Sequence, residues 1–277
     1  MGIRISTNLA SMNAQNNLAT SQKNVERSFA QLSSGSRITK AADDAAGLSI
    51  SEHFKSQIRG YRQASRNAND GISLLQVAEG GMNEIGNMLT RLRELGVQAA
   101  SDTVGDKERA YINKEVQQLT AEMQRITDTT RFGDKNLING TGGKFDFQVD
   151  IGNKDKVDRV SFDASEINTN ISNLGVEGLD YSSKEGAQQA LATIDKAHDH
   201  LSLYRSNLGA IQNRLMSTST NLGTATENLS SANSRIRDTD VAEATAELTR
   251  NNILLSAATA TLQQANQVPQ VAMKLIG

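Results

Sequence analysis

Leu201-Ser-Leu-Tyr-Arg-Ser-Asn-Leu208-Gly-Ala-Ile211-Gln-Asn-Arg-Leu215-Met-Ser-Thr-Ser-Thr-Asn-Leu222 places its apolar residues at alternating steps of three and four. That spacing marks a helix that buries one narrow stripe against another helix. Outward from this stretch the series begins at Leu191, Ile194, His198 and Leu201. It runs on through Thr218, Leu222, Ala225, Leu229, Ala232 and Ile236, with one skip near Tyr204. A continuous helix of about 50 residues at ~1.5 Å per residue is roughly 75 Å long. A coiled coil or an elongated bundle accommodates such a helix; an ordinary globule does not.

The same spacing recurs elsewhere. Ile58, Tyr61, Ser65, Ala68, Ile72, Leu75, Glu79, Met82, Ile85, Leu89 and Leu92 form a second long seam, and Ile112, Val116, Leu119, Met123 and Ile126 a shorter antiparallel partner after the turn Ser101–Asp106. Near the start, Ile5, Leu9, Met12, Leu18, Val25, Phe29 and Leu32 predict a helix stopped abruptly by Ser33-Ser-Gly-Ser36. Near the end, Val241, Ala244, Leu248, Asn251, Leu255, Ala258, Leu262 and Ala265 predict another, which Pro269 terminates. Both terminal stripes are rich in small residues, so they predict thin seams that order mainly through neighbours.

Between the helical halves, Phe132–Gly143 is glycine-rich and reads as turns. Strict alternation follows at Phe145, Phe147, Val149 and Ile151, then a Gly152-Asn153 turn, then Val160 and Phe162, which predicts a β-hairpin with one apolar face. The expected fold is mainly α: an elongated antiparallel coiled-coil or helical bundle with a small β-hairpin region at about 140–165.

Composition narrows the function. Of 277 residues, 4% are aromatic, Trp and Cys are absent and Pro269 is the single proline, so narrow seams suit the chain better than a bulky core. Twenty-nine basic and 31 acidic residues are interspersed for a net charge of -2, which offers no footprint for nucleic acid or an anionic membrane. No segment approaches the ~20 apolar residues of a membrane span, and the N-terminus lacks the apolar stretch of a cleaved signal peptide.

Catalytic and metal chemistry find no foothold. On a helix, His198 and His200 point about 200° apart and cannot grip one ion, and neither they nor His53 belong to an HExxH or a phosphate-binding loop. Asp43-Asp44 reads as a helix start with carboxylates favoured by the dipole. Asn139-Gly-Thr141 matches a glycan acceptor, a pattern common by chance in a chain rich in Asn and Ser. No enzyme activity and no cofactor are expected.

Leu32-Ser-Ser-Gly-Ser-Arg-Ile-Thr-Lys-Ala-Ala-Asp-Asp-Ala-Ala-Gly-Leu-Ser-Ile-Ser51 strongly resembles the N-terminal signature of bacterial flagellins, and Asn67–Gln76 extends the match. Ile236-Arg-Asp-Thr-Asp-Val-Ala-Glu-Ala-Thr245 and Leu262–Gln270 resemble the other end of that family. The resemblance implies a subunit of the extracellular flagellar filament that polymerises with itself for swimming motility, with a hook-filament junction protein as the alternative. It implies an inner terminal domain at 1–42 plus 238–277, with Leu9, Met12, Leu18, Val25, Phe29, Leu32, Val241, Leu248, Leu255 and Leu262 as the filament-core seam. It also implies an outer domain at 43–237, with Ile58, Ile72, Leu75, Leu89, Leu92, Leu191, Leu208, Ile211, Leu215, Leu222 and Leu229 as its seam. Type III export without a cleaved signal peptide, an export chaperone on the segment near Val241 to Gly277, and hook-associated and cap proteins are the further partners implied. Arg91-Leu-Arg-Glu-Leu-Gly-Val-Gln98 resembles the surface sensed by an animal Toll-like receptor, with Arg91, Leu95 and Glu115 at the matching positions.

Overall fold

The structure, a computed structural model, describes the backbone of residues 7–276 and the side chains through residue 267. Among these residues run α1 (Leu9–Ser34), α2 (Ala45–Ala99), α3 (Asp106–Thr129), β1 (Arg131–Phe132), β2 (Lys135–Asn136), β3 (Lys144–Gln148), β4 (Arg159–Asp163), α4 (Lys184–Arg237) and α5 (Val241–Ile276). The strands form two separate antiparallel pairs, β1 with β2 and β3 with β4. The chain is mainly α, as its spacing predicts. Ile5 and Gly277 lie outside the described residues.

Contacts divide the chain into a terminal unit, residues 1–56 with 228–277, and a central unit, residues 57–227. The start of α2 and the end of α4 fall in the terminal unit, where they bond to each other. There the Ser51 hydroxyl donates to Asn233 Oδ1 at 2.7 Å, and Arg237 pairs with Glu52. That guanidinium holds the Glu52 carboxyl below its ordinary value.

The central unit owns the hydrophobic core. Leu75, Leu89, Leu92, Leu208, Leu215 and Leu222 are buried, and Ile58 joins them, while Ile72, Leu191 and Ile211 are half-buried. Met82, Ile85, Ile194, Val116 and Met123 complete the meeting of α2, α3 and α4. Each such side chain contributes roughly 1.5–3 kcal/mol on burial, so this unit has its own source of stability. Leu229 falls in the terminal unit, half-buried.

The β3–β4 pair matches the alternation. Phe145 faces Phe162 and Phe147 faces Val160 across the ladder, and the two rings Phe145 and Phe162 stack at 6.0 Å. The alternation ends sooner than expected, since β3 stops at Gln148 and Ile151 lies exposed in the connecting loop. The stretch 132–143 holds more than turns. Phe132 pairs with Lys135 around Gly133-Asp134, and Gly133 takes φ +61, which a Cβ disfavours. Leu137 and Ile138, both fully buried, anchor this second hairpin to the core.

Two polar groups inside the central unit were not visible in the apolar spacing. Arg109 of α3 is buried; it donates from Nε to Ala99 O at 2.9 Å and from Nη2 to Ser101 O at 2.9 Å, and pairs with Asp106 at 3.1 Å. It thus places a cation on Ala99 O at the end of α2 and on Ser101 O in the turn just beyond, where the helix dipole is negative. Tyr181, fully buried ahead of α4, donates its hydroxyl to Leu92 O at 3.0 Å.

Burial pushes the Tyr181 phenol up to about 12. Because the folded value exceeds the unfolded one of about 10, the neutral phenol stabilises the fold below about pH 10, and that contribution is lost as pH rises towards about 12. Tyr181→Phe is expected to cost about 1 kcal/mol near neutrality, the worth of one hydrogen bond. It should also flatten the alkaline loss. Urea unfolding of both proteins at about pH 7 and about pH 11 measures this; equal losses in the two proteins would assign the alkaline effect to another group.

Candidate functional site

The candidate site is the pair of terminal helices. α1 and α5 run antiparallel: Asn8 Nδ2 donates to Ala265 O at 2.9 Å, Ser11 Oγ to Asn266 Oδ1 at 2.8 Å, and Asn251 Nδ2 to Ser28 Oγ at 3.4 Å. Their covered positions keep an unbroken three-four rhythm: Ser11, Ala14, Leu18, Ser21, Val25, Ser28 and Leu32 on α1, and Ala244, Leu248, Asn251, Leu255, Ala258, Leu262 and Ala265 on α5. Small or polar side chains take the most buried places. The hydrogen bonds then fix the register, as single polar residues do in coiled-coil seams, while the burial of Ser and Ala adds little free energy.

This geometry divides the expected seam between two sides of the helix pair. Leu9, Met12, Phe29 and Val241 are more than half exposed and point away from the covered side, because Ser11, Ala14 and Ser28 hold the phase that places the helix. Leu18, Val25, Leu32, Leu248, Leu255 and Leu262 lie on the covered side, half-buried. The expected stop at Pro269 is overturned: α5 continues to Ile276. Proline removes its own N–H and with it one bond, to the carbonyl four residues back, and the flanking turns keep theirs.

A clasp joins the other ends of these helices. Gly35 takes φ +67 and closes α1. Ser36 then bridges Asp238; Arg37 N donates to Arg237 O at 2.7 Å and Thr239 N to Gly35 O at 3.0 Å. Arg37 Nη2 also caps Ile236 O at 2.8 Å. Across the following turn Asp43 accepts from Thr39 Oγ1 at 2.9 Å, Lys40 N at 3.0 Å and Thr39 N at 3.1 Å, and these bonds hold its carboxyl below the ordinary range. Asp44, accepting from Gly47 N at 2.8 Å, is the residue that starts α2.

α5 has a second apolar side. Ala242, Thr245, Ala246, Thr249, Arg250, Ile253 and Leu254 lie together on the surface of α5 that faces away from α1. Ile253 is 64% exposed and Leu254 50%. A helix apolar on both sides is built for the interior of an assembly, and here α1 covers one side.

In the central unit, Arg91 pairs with Glu94 at 3.0 Å and with Glu115 of α3 at 2.9 Å, and these carboxylates raise its pKa further. Arg91 and Glu115 are therefore presented together on the surface. Leu95 is not, because it is 2% exposed within the core, so its expected role as a surface contact is corrected to support beneath the pair. The glycan acceptor pattern fails on geometry: Asn139 is buried and its Oδ1 accepts from Thr141 Oγ1 at 2.7 Å. His198 contacts Thr90 Oγ1 at 3.4 Å, and His200 is exposed.

Comparison with known proteins places these helices. The bacterial flagellin N-terminal helical region matches residues 5–142, and the bacterial flagellin C-terminal helical region matches residues 191–276. A flagellin of Halalkalibacterium halodurans is 44% identical over 98% of this chain and 99% of its own length. A flagellin of Bacillus subtilis is 38% identical over 99% of this chain and 100% of its own. The crystal structure of Bacillus cereus flagellin superposes on 57% of this chain and 88% of its own with a TM-score of 0.51 at 25% identity.

Proposed function

The chain belongs to the bacterial flagellin family, and from that premise we propose how its two units divide the work of a filament. It is a structural subunit of the extracellular flagellar filament, not an enzyme, and it assembles with copies of itself. In the proposed division, the α1–α5 seam forms the inner wall of the polymer and the central unit its rigid outer part. The observation that carries this reading is the second apolar side of α5, from Ala242 to Leu254, which neighbouring copies would cover. The thin seam holds register in the single chain, and burial against neighbours supplies the free energy that its small residues do not.

Export without a cleaved signal peptide, an export chaperone covering the segment from Val241 to Gly277, and capping by hook-associated and cap proteins belong to the same proposal. An apolar helix side that must stay soluble until assembly supports a chaperone there. The exposed Arg91–Glu115 pair supports a contact with an animal Toll-like receptor, with Leu95 holding the helix under it.

The test is seeded growth. Purified chain is added to short filament fragments and imaged by negative-stain electron microscopy beside a chain ending before Asp240. The full chain is expected to extend the seeds into long tubes and the shortened chain to leave them unchanged. Tubes from the shortened chain would remove α5 from the assembly.

A further inference from the structure

The central unit carries a projection and a recess of complementary chemistry. The β1–β2 hairpin ends in Phe132-Gly133-Asp134, with Phe132 43% exposed and Asp134 in no ion pair among the described residues. A groove of about 640 Å³ opens beneath the β3–β4 hairpin. Tyr61, Val149, Val160 and Leu222 supply its apolar lining, and its charged lining is three cations, Lys156, Arg159 and Arg214, against one carboxylate, Asp150. Neither Lys156 nor Arg214 has an ion-pair partner among the described residues, whereas Arg159 beside them is engaged by Gln148, Asp155 and Asn153.

Within one chain the two features stay apart. The hairpin leaves α3 beside Gly81, whose neighbour is Thr130, and the groove lies at Tyr61. Twenty residues of α2 between those positions span roughly 30 Å at ~1.5 Å each. A tip on one copy that fills a recess elsewhere on the next copy is a heterologous contact, which repeats without closing when its rotation does not complete a ring.

We propose that the β1–β2 tip of one copy seats in the β3–β4 groove of a second copy, with Phe132 on the apolar lining and Asp134 against Arg214 and Lys156. This contact rests on the filament reading above and names one of its subunit interfaces. The opposite charges set orientation and discriminate against other surfaces, and the phenyl ring leaves water on docking.

Charge reversal tests it, because Asp134 and Arg214 are exposed and their replacement spares the monomer fold. Seeded elongation is measured for the unaltered chain, D134R, R214E and the double variant, with circular dichroism confirming equal helix content. Each single variant is expected to elongate about tenfold more slowly, equivalent to about 1.4 kcal/mol, and the double variant to recover most of that rate. Single variants that elongate like the unaltered chain, or a double variant no faster than the singles, overturn the contact while leaving the filament reading in place. Failure of the unaltered chain to elongate overturns both.

Discussion

Arg109→Met is expected to lower the stability of the central unit by about 3 kcal/mol, the worth of two hydrogen bonds from a buried charged group. The guanidinium touches Ala99 O and Ser101 O together, so its loss strips Ala99 O of its donor and leaves Ser101 O only the long bond of 3.4 Å from Val104 N. Hydrogen bonds to charged groups are worth about 1.5–3 kcal/mol each, and the methionine returns only part of that through packing. For a unit of this size the midpoint of thermal unfolding should fall by about 6–12 °C. Arg109→Lys should recover less than half, since one ammonium cannot hold both carbonyls in the same plane. A loss below about 1 kcal/mol in urea unfolding of Arg109→Met would mean that the turn rearranges to satisfy the carbonyls itself.

The second large effect concerns assembly rather than folding. Ile253→Glu should leave the monomer as stable as before, because Ile253 is already 64% exposed. It should abolish seeded growth, since the filament would have to bury a carboxylate together with Arg250, its neighbour three residues back on the same side, and the desolvation of such a pair costs several kcal/mol, or a thousandfold and more in the concentration needed to elongate. Ile253→Met keeps the apolar surface and should grow normally. If Ile253→Glu grows like the unaltered chain, that side of α5 faces open solvent in the polymer, and the division of labour proposed for the two units needs another interface.

The central unit was readable from its spacing because there burial and apolarity coincide. Leu208, Leu215 and Leu222 stand seven apart and are all buried, and Phe145 and Phe162 meet across the ladder their alternation predicts. α1 was harder, for a physical reason: its contact face is set by Ser11, Ala14 and Ser28, while the large apolar residues Leu9, Met12 and Phe29 sit elsewhere. A search keyed to hydrophobicity follows those large residues and is led out of phase; a search for small residues at the three-four rhythm would have found Ser21 and Ser28. The family resemblance at Ser33 to Ser51 named the clasp region without its mechanism. Arg109 left only an ordinary spacing of three to Asp106 as a local signal, since the two carbonyls it holds lie across a turn and are backbone atoms, which look alike in any sequence.

The clasp at Ser36 and Asp238 has a kinetic consequence. It joins two points about 200 residues apart along the chain, so forming it carries the loop-closure entropy of the whole terminal pairing, a cost that grows only slowly with loop length. The central unit, folding on its own contacts, shortens the effective loop. Once the clasp is made, each further turn of α1 against α5 adds only its local entropy, and the seam closes like a zipper from Gly35 and Thr239 outward to Asn8 and Ala265. Opening runs the other way. Amide exchange along the pair should therefore be graded, with protection strongest beside the clasp and falling towards both chain ends.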